Sequence, residues 1–199
     1  GGDGNDTMYG GLLSSSMDGG DGDDVMYSSF DPSKMNGGDG NDEMHGNVLS
    51  DNMNGGDGND TMDGGLGADA LHGGDGNDSM DGGWGDDFIY GDAGNDTMNG
   101  GLGDDRLDAG KGDDVLTGGD GADTFVFSSM SFGDKVITDF EPGKDVLSFS
   151  GYEANQISVI SNEGGTIIRF GATEVILQGV ELSTEEVLAH SNFSSGSTA

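Results

Sequence analysis

The 199-residue chain contains no cysteine, so no disulfide can brace it. It has only 6 basic residues against 39 acidic ones, a formal charge of −33. Nucleic acid and anionic membrane surfaces are poor partners for such a chain, because recognition of either relies on a basic patch. No apolar run approaches the length of a membrane span, which argues against membrane insertion, and no basic-then-apolar start marks a signal peptide. Zinc would want histidine or cysteine, and there are 3 histidines. Catalytic signatures are missing too: there is no His-Glu-x-x-His, no Gly-x-Ser-x-Gly and no phosphate loop, so no enzyme is expected in this chain alone. A composition this acidic and this poor in apolar residues belongs to a disordered polypeptide unless cations neutralise it.

What the chain has instead is a phrase. Residues 1–126 divide into fourteen nine-residue units without an insertion, starting with "GGDGNDTMY" at Gly1. Aspartate holds the sixth position in most units, with Ser15 and Ser33 as the exceptions. The eighth position is always apolar: Met8, Met17, Met26, Met35, Met44, Met53, Met62, Leu71, Met80, Ile89, Met98, Leu107, Leu116 and Phe125. Methionine confined to one column is a packing residue, since its flexible thioether fills irregular gaps.

The glycine-rich first six residues allow φ > 0 and turn carbonyls toward one point, while the last three suit a very short strand with its middle side chain inward. Two units then make one turn of a parallel two-sheet roll, and residues eighteen apart become neighbours. Seven turns at about 4.8 Å each give a rod of roughly 30 Å. The phrase resembles the known calcium-binding β-helix nonapeptide Gly-Gly-x-Gly-x-Asp-x-U-x, and that resemblance implies an all-β fold class, a parallel β-roll closed by a β-rich C-terminal region.

Calcium suits such loops. It takes several oxygens in a tolerant geometry, whereas magnesium keeps its water in a stricter octahedron. An EF-hand would need a twelve-residue loop closed by glutamate, which the nine-residue period does not provide. The candidate ligands are the second- and fourth-position glycines and the sixth-position aspartates. On the odd-numbered units these are Gly2, Gly4, Asp6, Gly20, Gly22, Asp24, Gly38, Gly40, Asp42, Gly56, Gly58, Asp60, Gly74, Gly76, Asp78, Gly94, Asp96, Gly110, Gly112 and Asp114. On the even-numbered units they are Gly65, Gly67, Asp69, Gly83, Gly85, Asp87, Gly101, Gly103, Asp105, Gly119, Gly121 and Asp123.

The two edges differ. Odd units keep the loop pattern apart from Asp92 and Ala109, and seven such loops enclose six junctions. The second, fourth and sixth units, "GGLLSSSMD", "SSFDPSKMN" and "GNVLSDNMN", have lost glycines but keep their methionines, so these turns stack with few or no ions. Three more junctions follow from Gly64 onward. About nine calcium ions are expected, offsetting roughly half of the charge. Asp92, in place of a glycine, is expected to strain its loop. Leu12, Leu13, Phe30, Val48 and Leu49 are unusually apolar for loops and either cover one another or meet another domain.

Past Phe125 the pattern changes. Segments 134–140, 145–151, 157–161, 165–171 and 174–180 alternate like longer strands separated by turns. Residues 127–182 are expected to cap the roll, because an open solenoid end exposes pairing edges and its apolar column. Ser183 and Glu186 form a capping box for one short helix, and the tail from Ser191 is expected to be polar and mobile. Tyr9, Tyr27 and His45, eighteen apart, should stack on one outer face, as cross-strand support or as a platform for a polysaccharide.

The nonapeptides, followed by "GGDGADTFVF" (118–127) and "DKVITDFEPGKDVLSFSG" (134–151), resemble the C-terminal part of bacterial RTX exoproteins, in a form similar to serralysin-type proteases. The resemblance implies a calcium-binding β-roll of a secreted, extracellular protein, exported by type I machinery through an uncleaved C-terminal signal and folding on calcium outside the cell. It also implies an upstream domain in a longer polypeptide. By the same resemblance Asp139, and more weakly Asp134 or Asp145, join the candidate calcium ligands. A hydrophobic last-residue motif of some of the proteases is absent, and residues 183–199 are read as part of the export signal.

Overall fold

The computed structural model describes residues 1–11, 15–128 and 131–194. Leu12 and Leu13 lie outside them. Among the described residues the chain is nearly all β, wound as a solenoid of two parallel sheets with one short α-helix and a single 3-10 turn. One sheet has 10 strands, running from Gly2–Asp3 through Lys34–Asp39 and Phe88–Ala93 to Thr124–Ser128, Val146–Ser150 and Ser191–Ser194. The other has 11, from Thr7–Tyr9 through Thr61–Asp63 and Asp114–Asp120 to Lys135–Ile137 and the hairpins of residues 158–178.

The register is that of the repeat. Met17 pairs with Met35 and Met35 with Met53 in one sheet, while Met26 pairs with Met44 and Met44 with Met62 in the other. From Met17 to Phe125 every eighth-position side chain is buried between the sheets, and Met8 at the open end is partly buried. The core is thus a single file of side chains from each sheet. One apolar residue in nine is a thin core, and each of them matters.

Several strands are longer than three residues. Ser16–Asp21 and Lys34–Asp39 carry the pairing on through Gly20↔Gly38 and Asp21↔Asp39, so the ladder takes in the first three positions of the following unit. Glycine at φ 112° for Gly20 and 115° for Gly38 lets the backbone bend while its amides stay in the ladder. The turn proper shrinks to positions four to six. Asp92 has φ 63°, the one non-glycine residue with positive φ among those described, so the strain expected of that substitution is present in its backbone.

The sheets run across residue 127. Phe125 pairs in parallel with Leu147, and Asp114 with Lys135, as the turn spacing lengthens from 18 to 21 and 22 residues. Phenylalanines replace methionine here: Phe127, Phe149 and Phe170 pack with ring centroids 5.1 to 5.9 Å apart. The antiparallel strands Ser158–Asn162, Gly165–Phe170 and Thr173–Gln178 extend one sheet. The helix Thr184–Ala189 starts at the expected capping box, Ser183 accepting from the Glu186 amide. The first part of the tail departs from expectation, because Ser191–Ser194 is an edge strand on Val146–Ser150 with Phe193 stacked on Phe149 at 5.6 Å; residues 195–199 lie outside the described residues. An aromatic partner, invisible in the local sequence, holds that strand.

Because the core is one residue wide, truncation has no neighbour to relax into it. Leu71→Ala is expected to cost about 3 kcal/mol, measured by denaturant unfolding of the calcium-saturated chain; a cost below about 1 kcal/mol would show that the column does not carry the fold.

Candidate metal centre

Each sixth-position aspartate ends a turn and points inward. Asp24, Asp42, Asp60, Asp69, Asp78, Asp87, Asp96, Asp105, Asp114 and Asp123 are all buried. One carboxylate oxygen has a fixed partner. Oδ1 of Asp24 accepts from the Asp6 amide at 2.7 Å, Oδ1 of Asp60 from Asp42 at 2.8 Å, and Oδ1 of Asp105 from Asp87 at 2.8 Å. Every such aspartate ties its own turn to the one before.

The second oxygen has none. Oδ2 of Asp24, Asp42, Asp60, Asp69, Asp78, Asp87, Asp96, Asp105 and Asp123 is buried without any hydrogen-bond donor. Leaving a carboxylate oxygen in that state is among the costlier arrangements a protein can adopt. Burial pushes the carboxyls of Asp60, Asp69, Asp96 and Asp105 up to about 7 and that of Asp123 to about 6, with like charges from neighbouring turns adding to the effect. Asp42, Asp78 and Asp87 are raised for the same first cause, burial.

A backbone oxygen shares the place. A β-carbon on Gly19 would stand 2.2 Å from Asp24 Oδ2 and 2.3 Å from the Gly37 carbonyl oxygen of the next turn. The same pair of oxygens meets at Gly37, Gly55 and Gly73 on the odd edge, and at Gly64, Gly82 and Gly100 on the even edge. Glycine is needed there for room, since Gly19, Gly37 and Gly55 have no positive φ. The place of each missing side chain is taken up by a charged and a neutral oxygen from consecutive turns.

The second- and fourth-position glycines named from the sequence all have φ between 67° and 152°, as the turn requires. Their carbonyls form columns along each edge: the Gly40 oxygen would lie 1.8 Å from a β-carbon on Gly58, and the Gly20 oxygen 2.1 Å from one on Gly38. The first-position carbonyl, which is not among the ligands expected from the sequence, is the one brought to the orphaned Oδ2. The signal for it was present in a glycine kept where no special φ is required. The fifth position was missed as well. Asn41 Oδ1 accepts from the Asn59 amide, Asn59 from Asn77 and Asn77 from Asn95, a second ladder running against the aspartate ladder.

Among the described residues no three or more histidine, cysteine, aspartate or glutamate side chains converge as a metal cluster. A cation here would be held by carboxylate and carbonyl oxygens together, and an all-oxygen set with few charges fits a hard divalent ion. The histidines take no part: His45 faces Glu43 at 2.7 Å, and His72 lies 3.6 Å from Asp92.

A family model of the RTX calcium-binding nonapeptide repeat (4 copies) matches residues 1–32, 18–52, 36–71, 63–98 and 99–128. The chain belongs to the RTX calcium-binding repeat family. No curated protein sequence matches it. Among solved structures it is similar to extracellular lipase LipA from Serratia marcescens, at 21% identity over 78% of this chain and 39% of that one, with a TM-score of 0.39. It is similar also to the AlgE6R3 subunit of the Azotobacter vinelandii mannuronan C5-epimerase, at 29% identity over 76% of this chain and 81% of that one, with a TM-score of 0.21. The chain spans well under half of the lipase.

The RTX edges are unequal, as their sequences are. Asp51, in a degenerate even unit, has both oxygens engaged: Oδ1 accepts from the Ser33 amide at 2.6 Å, and Oδ2 from Ser28 Oγ and the Asn47 amide, each at 3.1 Å. Protein donors engage both oxygens there. Asp139 is cradled by the amides of Gly118 and Gly119 at 2.9 and 2.8 Å, and Asp145 takes the sixth-position role by accepting from the Asp123 amide at 3.1 Å. Asp134 accepts from the Glu174 amide at 3.2 Å.

Carboxyls held near pH 7 in the roll and near 3.8 in the unfolded chain bind more protons when folded. Metal-free stability is therefore greatest below about pH 4 and is lost as pH rises toward 7. In chelator the far-ultraviolet β signal should grow on acidification from pH 7.5 to 4.5, and Asp60→Asn/Asp78→Asn/Asp96→Asn should reproduce part of that gain at pH 7.5. No gain in either would mean that the buried carboxylates are not what opposes the metal-free fold.

Proposed function

We propose that this RTX roll is a calcium-dependent folding module of a larger exoprotein, unfolded where free calcium is low and compact where it is high. The observation that carries the reading is the file of buried Oδ2 atoms that no protein group satisfies. A bound calcium ion supplies the positive charge and the oxygen-seeking shell that these atoms lack.

Without it, each turn buries another carboxylate against the last, and the −33 charge keeps the chain extended. An extended chain suits passage through a type I export channel. Outside the cell, calcium at about 10⁻⁴–10⁻³ M lies in the range that extracellular modules bind. Asp24, Asp42 and their successors then close turn upon turn, each presenting a first-position carbonyl to its neighbour. Growth by adjacent turns is cooperative, as in other solenoids. The aromatic-packed turns beyond residue 127, which need least from metal, are the natural place to start. Membership of the family supports calcium as the ion and a secreted location.

The rival reading, a polysaccharide-binding rod, gains little from the aromatic ladder. Tyr9 and Tyr27 stack at 5.1 Å and Tyr27 and His45 at 4.9 Å, so both faces of Tyr27 are covered and only Tyr9, at the end of the stack, offers an exposed ring.

Circular dichroism through a calcium titration tests the proposal. The β signal should appear with calcium and not with equal magnesium, with about nine ions bound per chain at saturation. A chain ending at residue 126 should fail to fold at the same calcium, and Tyr9→Ala/Tyr27→Ala should fold with an unchanged midpoint. A roll already formed in chelator at pH 7.5 would sink the proposal.

A further inference from the structure

The odd-edge file of aspartates ends in a lysine. Lys135 pairs in register with Asp114, so it occupies the sixth position of the next turn, where every earlier odd turn has aspartate. Its Nζ lies 2.7 Å from Asp114 Oδ2, and both side chains are wholly buried. Nζ also donates to the carbonyls of Gly112 and, at 3.1 Å, Phe132. Asp114 Oδ1 meanwhile keeps its usual bond, accepting from the Asp96 amide at 2.9 Å. Among the described residues Lys135 is the one basic side chain that is buried, in a chain with 6 basic residues in all.

We propose that the Lys135 ammonium is a resident cation standing in for the metal at the last odd-edge junction, so that this junction takes no calcium. The reading rests on calcium being held at the orphaned Oδ2 atoms elsewhere. The ammonium meets one carboxylate oxygen and two backbone carbonyls, an all-oxygen surrounding of the kind a calcium ion takes. Ala109 supports the same assignment independently. It is the only first-position residue on the odd edge that is not glycine, it is completely buried, and it belongs to the loop that Lys135 closes. At Gly19, Gly37 and Gly55 a β-carbon in the same first position would stand only 2.1–2.2 Å from Oδ2 of the turn's own aspartate. A loop with no metal to admit can accommodate a side chain there.

The even edge ends differently, with the carboxylate of Asp145 in register after Asp123 and Oδ2 of Asp123 left without a donor. Only the odd edge is sealed from within. Its last turn is closed by a side chain that the protein itself supplies, which makes it a fixed template against which metal-dependent turns can stack.

Two measurements decide the matter. In crystals of the calcium-loaded wild-type chain, anomalous scattering should place ions beside Oδ2 of Asp60, Asp78 and Asp96 and none beside Asp114; an ion bound to Asp114 Oδ2 overturns the proposal. Ala109→Gly/Lys135→Met, which removes the methyl group and the ammonium, should bind one more calcium per chain than wild type by native mass spectrometry, and adding Asp114→Asn should abolish the gain. An unchanged count in the folded double variant overturns it, as does failure of that variant to fold at saturating calcium where the triple variant folds. If wild type binds no calcium at all, the calcium reading itself fails, and that result is distinct from either of these.

Discussion

A half-satisfied carboxylate, repeated in most of the nine-residue units, governs this molecule. Oδ1 of each inward aspartate is committed to the amide of the preceding turn, and that bond sets the spacing at which like charges must stack. Oδ2 is carried into the same buried place with nothing to receive it. The apolar file between the sheets, one side chain from each unit, is too slender to offset such a cost over many turns. On the proposed reading, positive charge from outside the chain is part of the fold and not an addition to it.

The demand for that charge varies along the rod. On the even edge near the N-terminus, Asp51 is satisfied by Ser28, Ser33 and Asn47, and the loops around it have drifted from the repeat. In the middle both edges carry orphaned oxygens. Toward the C-terminus phenylalanines widen the core, the amides of Gly118 and Gly119 hold Asp139, and Lys135 stands against Asp114. The rod has an end that stands on ordinary packing and a shaft that does not.

On the proposed reading, that polarity suits a chain that stays extended in one place and becomes compact in another. An end with its own aromatic cluster and its own buried lysine would then give growth a direction.

Much of this was legible in the residues. The unbroken nine-residue period determined the eighteen-residue turn, the methionine column between the sheets, the positive φ at Gly20 or Gly58, and the inequality of the two edges, because each follows from local pattern repeated in register. Other features needed the third dimension. The room left by Gly19 has meaning only beside the Gly37 carbonyl of another turn, and the ladder of fifth-position side chains exists only once turns stack. Ser191–Ser194 became a strand because Phe149 was there to receive Phe193. Lys135 reads as one more polar residue on a strand; only the lengthened spacing that sets it against Asp114, across turns and away from water, makes it a buried cation, since register between distant turns is decided by stacking and not by any local run of sequence.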